Sequence, residues 1–200
     1  MTSRTSSRSC ALLFDMDETL VRTRPLVERA YREAGVEMPP HAWGKPAAEW
    51  LVDLCGGDVE LAAKTHAEKN KIYMKLLERT PPAELPAAQV LRESLSDPRF
   101  NVCVATSASY EAAYAVMQRQ LGLFVPMRCR LTVDALVRFV LSFDGPRVLV
   151  NDSAETLRVF ERDFPWVGRV HAAPAKSAEV LALEVRAEAV RSESLTCQKS

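Results

Sequence analysis

The stretch Cys10-Ala11-Leu12-Leu13-Phe14-Asp15-Met16-Asp17-Glu18-Thr19-Leu20 decides how the chain is read. An apolar run ends abruptly in two carboxylates separated by one residue, and a threonine follows. A central parallel strand is covered on both faces, so it reads as continuously apolar rather than alternating. The run therefore predicts a buried strand whose acidic end lies at the carboxyl edge of the sheet, where open α/β sheets place their ligands. Asp15 and Asp17 repel one another when both are ionised, which calls for a cation or for one of them to act as a general acid. Mg²⁺ suits the first role, being a hard ion that takes oxygen ligands.

Working outward, two further apolar runs end in polar chemistry. Asn101 to Ala105 is a β-branched run that stops at Thr106-Ser107-Ala108-Ser109, just ahead of a helical pattern. Hydroxyls and unpaired N–H groups at a helix start suit a phosphate oxygen, although Thr and Ser there also serve as caps. Arg147 to Val150 is followed at once by Asn151-Asp152-Ser153-Ala154-Glu155-Thr156, a second acidic strand end. Helical patterns alternate with these runs over Pro86–Ser96, Tyr110–Leu121, Thr132–Leu141 and the segment after Ala154, while Trp166 to Val170 reads as a last strand. Phe124 to Arg130 is a poorly patterned candidate, and Pro126 inside it suggests an edge or a bend. The alternation predicts a doubly wound, mainly parallel α/β sheet.

Between the first two runs the period changes. Leu26, Val27, Ala30, Tyr31 and Ala34 recur at helical spacing, with Thr23 and Pro25 near the start and Gly35 at the stop. A loop over Pro39–Pro46 leads to a second pattern with Trp50, Leu51, Leu54 and Cys55 on one side. After Gly56-Gly57 and an Asp58 cap, a third helix over Val59–Arg79 carries Ala62, Lys69, Ile72, Tyr73, Leu76 and Leu77 around a partly apolar stripe. Thr80-Pro81-Pro82 breaks it. Three helices in a row before the second strand predict an excursion from the sheet.

Phe14-Asp15-Met16-Asp17-Glu18-Thr19-Leu20, followed in order by Thr106 and Asp152, resembles the motifs of the haloacid dehalogenase superfamily, phosphatase and phosphotransferase branches. The resemblance spans about residues 11–170 and implies a Rossmann-like α/β core over 10–21 and 81–173, with a small helical cap over 22–80. Residues 1–9 would be a flexible arm, and 174–200 a weak helix and disordered tail. By the same resemblance Asp15 is the nucleophile and Asp17 the general acid/base, while Thr106, with Ser107, binds phosphate. Asp15, the backbone carbonyl of Asp17 and Asp152 would hold Mg²⁺, with Glu155 in reach of a metal-bound water. The implied reaction is hydrolysis of a small phosphorylated metabolite through an aspartyl phosphate; a transferase or mutase, or a non-catalytic phospho-ligand binder, is the alternative.

Two departures stand out. The family's motif lysine is missing, since no lysine occurs from Leu76 to Ala175. Arg130 is nearest in position, with Arg128 and Arg138 as rivals, but a planar guanidinium does not simply replace a compact ammonium. The fourth motif carries Asn151 and Thr156 where the family more often has further acidic groups, so its metal site is leaner in charge. Trp43 and Lys45, in the cap loop, are expected to lie over the crevice and contact the leaving group, with Lys45 also a source of the missing charge. His41 and His66 have no partners at metal-ligand spacing.

Composition narrows the remaining possibilities. A net charge of zero and no basic stripe give nothing to draw the chain onto nucleic acid. No segment has the length of a transmembrane helix. Five scattered cysteines without C-x-x-C spacing, and no secretory pattern in residues 1–9, favour a cytoplasmic protein, monomeric or homodimeric.

Overall fold

The computed structural model of the protein describes residues 9–43 and 47–197. Strand β1 (Cys10–Phe14) lies at the centre of a parallel sheet, and every one of its residues is buried. β4 (Phe100–Ala105) pairs with it on one side and β6 (Arg147–Asn151) on the other. With β5 (Met127–Arg128) and β7 (Gly168–His171) at the edges, the five strands run in the order β5-β4-β1-β6-β7, all parallel.

The pleat of β1 divides its side chains between two cores. Cys10, Leu12 and Phe14 join one cluster with Ala87, Val90 and Leu91 of α4 (Pro86–Leu95) and Leu181 and Val185 of α8 (Ala178–Cys197). Ala11 and Leu13 face the opposite way, onto Leu136 and Val140 of α6 (Val133–Leu141) and Leu157 and Phe160 of α7 (Ala154–Asp163). Parallel strands need such crossovers, and the helices that make them cover both faces. This is the doubly wound arrangement expected from the sequence.

A short antiparallel pair, β2 (Val21–Arg22) with β3 (Ala83–Glu84), brackets the helical unit. The unit consists of α1 (Arg24–Glu33), α2 (Ala47–Leu54) and α3 (Val59–Arg79). Tyr31, Ala42, Trp50, Leu51 and Ala62 form a cluster of their own, with Tyr31 and Trp50 edge to face at 4.9 Å. α3 outgrows that cluster: Tyr73, Leu76 and Leu77 in its second half belong to the main core beside the sheet. Gln120 Nε2 donates to the Leu77 carbonyl at 2.8 Å and ties this end of α3 to the α/β layer.

Three segments differ from the expectations. The helix after Thr106 is not uniform: α5 (Tyr110–Tyr114) passes into a π-helical stretch, Ala115–Gln120, which delivers Gln120 to Leu77. The candidate strand over 124–130 contracts to Met127–Arg128, beyond Pro126. The C-terminal segment, expected to be a weak helix with a disordered tail, is helical over Ala178–Cys197, longer than expected, and 198–200 lie outside the described residues. Leu181 and Val185 pack it into the main core, and polar contacts add to that docking. Glu188 accepts the Arg169 N–H at 3.0 Å, and Ser192 Oγ accepts the Arg147 N–H at 3.0 Å while lying 2.9 Å from the Trp166 carbonyl. Gly168 permits the close approach, because a Cβ there would meet Val148 Cγ2 at 2.8 Å and the Glu188 carbonyl at 3.0 Å. Among the described residues no helix is long and apolar enough to cross a membrane.

Candidate active site

The carboxyl ends of β1, β4 and β6 bring Asp15, Asp17, Thr106 and Asp152 together. β1 fixes the first of these, since the Asp15 N–H still donates to Val150 at 2.9 Å and continues the ladder by one residue. Beyond it the chain turns sharply. Glu18 adopts φ +57, in the left-handed region that side chains seldom occupy. Its carboxylate accepts the Arg24 N–H at 2.8 Å, so the strained turn is fastened to the start of α1.

Thr19 is buried and joins two strand ends. Its hydroxyl accepts the Asp152 N–H at 2.9 Å and lies 3.3 Å from Asp152 Oδ1 and 3.5 Å from Asp15 Oδ2. The Asp15 carboxyl is pushed well above its ordinary range by burial and by the charges of Asp17 and Asp152. Asp152 is also raised by burial, and the Thr19 hydroxyl lies between the two carboxyls. Asp152 gains orientation from the far edge as well: His171 Nε2 lies 2.8 Å from its carbonyl, a bond that requires the proton on Nε2.

Asp17 faces a different set of partners. Thr23 donates to its Oδ1 at 2.6 Å and Thr106 to its Oδ2 at 3.4 Å. Burial raises this carboxyl, while the two hydroxyls and the charge of Lys69 hold it down. Thr23 thus differs from its expected part in starting α1. It occupies the N-cap position but makes no side-chain capping bond, and its hydroxyl serves Asp17 instead. Thr106 is buried and also accepts the Ala108 N–H at 3.1 Å, which shapes the loop after β4. Ser107 next to it is exposed.

The other candidates are dispersed. Arg130 has φ +58 and a side chain 74% exposed, with its guanidinium 4.0 Å from Glu111. Only its backbone approaches the site, through an N–H bond to Ala108 in the Thr106 loop. Arg128 stacks its guanidinium over Phe139 at 5.5 Å. Glu155 is exposed in the first turn of α7, whose cap is Ser153. Asn151 is buried and accepts the Ser153 N–H at 2.7 Å, so it shapes the turn that presents Asp152. Trp43 lies against Arg24, whose guanidinium is 5.4 Å from its ring centre. Lys45 is outside the described residues.

The groups that sequence reasoning passed over are Thr19, Thr23, His171 and Lys69. Lys69 is 8% exposed, and its ammonium lies 4.9 Å from the ring centres of both Tyr31 and Tyr73. Burial lowers its pKa to about 8, against the pull of Asp17. His66, placed beside it, pairs Nδ1 with the Tyr31 hydroxyl at 3.2 Å.

A doubly wound sheet with acidic side chains gathered at the carboxyl end of its central strand defines an α/β protein of the kind that binds ligands at a topological switch point. The model of haloacid dehalogenase-like hydrolases matches residues 11–142, and the chain belongs to that family. Solved structures agree in fold. A hydrolase from Pseudomonas syringae is 17% identical with a TM-score of 0.63, over 82% of this chain and 83% of its own. CbbY from Rhodobacter sphaeroides, in complex with xylulose-(1,5)bisphosphate, is 17% identical with a TM-score of 0.66, over 84% and 89%. A HAD hydrolase of family IA, variant 3, from Entamoeba histolytica is 14% identical with a TM-score of 0.64, over 87% and 88%. No curated protein matches the chain. The family match ends before β6, so Asp152 is joined to the site by the Thr19 hydrogen bonds rather than by that match.

Proposed function

We propose that the protein is a Mg²⁺-dependent phosphatase of a small phosphorylated metabolite, with the helical unit over 22–80 acting as a cap. The observation that carries this reading is the crowding of Asp15, Asp17 and Asp152 at the carboxyl edge of the sheet, where Thr19 bridges Asp15 and Asp152 and where burial and the neighbouring carboxylates push the Asp15 carboxyl up. A hard divalent cation fits that crowding. Among the described residues no three His, Cys, Asp or Glu side chains form a ready cage. The proposed donors are accordingly two carboxylates, Asp15 and Asp152, with the Asp17 carbonyl, a sparse oxygen set of the sort Mg²⁺ accepts while keeping water. When bound, the ion would neutralise charge on the phosphoryl oxygens.

Asp15, once deprotonated, attacks phosphorus and forms an aspartyl phosphate, while Asp17 gives its proton to the departing oxygen. Asp17 then takes a proton from water, whose oxygen displaces Asp15 from phosphorus and returns inorganic phosphate. Burial, which raises Asp17, favours its first role, and the Thr23 and Thr106 hydroxyls, which favour its carboxylate, support the second. The Thr106 hydroxyl and the loop N–H groups through Ser107 supply donors for a phosphoryl oxygen. The thiols of Cys10, Cys55, Cys103 and Cys129 are free, which suits a reducing, cytoplasmic setting.

The test is a panel of phosphate monoesters assayed with and without Mg²⁺, alongside Asp15→Asn. Mg²⁺-dependent release of phosphate that the variant lacks is expected. No release, or equal release by the variant, sinks the phosphatase reading, and transfer to an added alcohol in preference to water turns it into a transferase.

A further inference from the structure

We propose that Lys69, carried by α3 of the helical unit rather than by the sheet, is the cation that grips the phosphoryl oxygens of the substrate at the Asp15–Asp17 crevice. This rests on the phosphatase reading above and adds to it the source of positive charge.

The sheet offers little else. No lysine occurs from Leu76 to Ala175. Arg130 is turned out to Glu111, Arg128 covers Phe139, and Lys176 is held by Glu184 at 2.7 Å. Lys69 differs from all of them in being more than nine-tenths buried, with no carboxylate within 4.0 Å among the described residues. Its neighbours are two aromatic faces, and its charge reaches Asp17. The described polar side-chain atoms that are fully buried without a hydrogen bond are Trp50 Nε1 and Gln120 Oε1. The ammonium of Lys69 is not among them.

A purely structural role does not account for that placement. Burying an ammonium without a carboxylate is costly, and two cation–π contacts offset only part of the loss. A methionine would fill the slot between Tyr31 and Tyr73 without the charge. An incoming phosphate dianion would complete the site: its oxygens meet the ammonium on one side and the Thr106 hydroxyl on the other. Position along the helix supports this. Lys69 lies between Ala62, which packs in the helical unit, and Tyr73, which packs in the main core, at the junction of the two. The Gln120 bond to Leu77 anchors the C-terminal half of α3, which carries Lys69, to the α/β layer.

Lys69→Met tests the assignment in the full chain with Mg²⁺. The expected result is a melting temperature equal to or above the parent's, a fall in kcat/KM of about a hundredfold, and inhibition by inorganic phosphate weakened about tenfold or more. Lys69→Arg should recover part of the phosphate inhibition. A purely structural lysine would change the melting temperature and leave phosphate inhibition alone. Acylation mapped by mass spectrometry needs no variant: inorganic phosphate should slow labelling at Lys69 and not at Lys64 or Lys71. If the parent is active and Asp15→Asn is dead, yet Lys69→Met keeps activity and phosphate inhibition within about threefold, the Lys69 assignment is overturned and the phosphatase reading stands. Equal labelling with and without phosphate also overturns it. A parent that neither hydrolyses phosphate esters nor binds inorganic phosphate removes both.

Discussion

The edge of the sheet gathers three carboxylates, whereas the helical unit buries one ammonium between two rings with no carboxylate in contact among the described residues. Each side alone is electrostatically unfavourable. Like charges at short range raise one another's pKa, and a solitary buried cation loses its hydration. Set together around a phosphoryl group and a divalent ion, the two arrangements become complementary. On the proposed reading the chemistry lies on the strand ends and part of the charge on α3, so turnover should depend on where the helical unit sits.

The sharpest way to break this comparison is at the nucleophile. Asp15→Asn keeps the shape and removes the attacking oxygen, so activity should fall about 10⁴-fold or more in a phosphate-release assay. Retained activity would move the chemistry away from β1. A second intervention probes repulsion rather than reaction. Asp15 and Asp152 titrate above their ordinary values, so the folded chain holds protons that the unfolded chain releases. In the metal-free protein the contribution of these two groups to stability is therefore fully present below about pH 4, the unfolded value, and is lost as pH rises through their folded values. Asp152→Asn should relieve this. Without divalent ions at pH 8 the variant is expected to be about 2 kcal/mol more stable than the parent, with a melting temperature higher by roughly 4–8 °C, and the gap should close toward pH 4. Loss of stability at pH 8 would show that the carboxylates are not in conflict.

The sheet side was open to sequence reading because its signals are local. β1 is a continuous apolar run ending in carboxylates, and Thr106 and Asp152 stand at the ends of two more such runs, so their convergence follows from parallel topology. The groups that were missed act across long distances or against their local pattern. Thr23 sits where a cap would sit but turns to Asp17, and His171 reaches Asp152 from an edge strand with no acidic end. Lys69 falls within the apolar stripe of α3, four residues before Tyr73, and a lysine in such a stripe ordinarily extends its stem to put the charge in water. What buries it instead is Tyr31, from another helix. α8 was underestimated for a related reason: beyond Leu181 and Val185, its attachment uses Glu188, Ser192 and the bare backbone at Gly168, and these three contribute nothing to hydrophobic periodicity.

Thr23→Val examines the contact between the two regions, because α1 belongs to the helical unit and its N-cap hydroxyl lands on Asp17 at 2.6 Å. That bond lowers the Asp17 pKa, so its loss should raise it. The limb of the kcat profile that belongs to Asp17 should move upward: activity requiring the acid persists to higher pH, and activity requiring the carboxylate begins at higher pH. An unchanged profile would mean that Asp17 does not titrate in the rate-limiting step.

The smallest expected effect is the one that decides between the two sources of charge. Arg130 is the sequence candidate nearest to the missing lysine, yet its guanidinium faces Glu111 at 4.0 Å across an exposed gap. Ion pairs of that kind contribute about 0–1 kcal/mol. The backbone of Arg130, by contrast, is tied to Ala108 in the loop after Thr106, and that bond survives any side-chain truncation. Arg130→Ala should therefore change kcat/KM by less than about threefold and leave phosphate inhibition where it was. A loss as deep as that expected for Lys69→Met would return the charge to the sheet side, with a loop closure that swings Arg130 inward, and the division between the two regions would no longer hold.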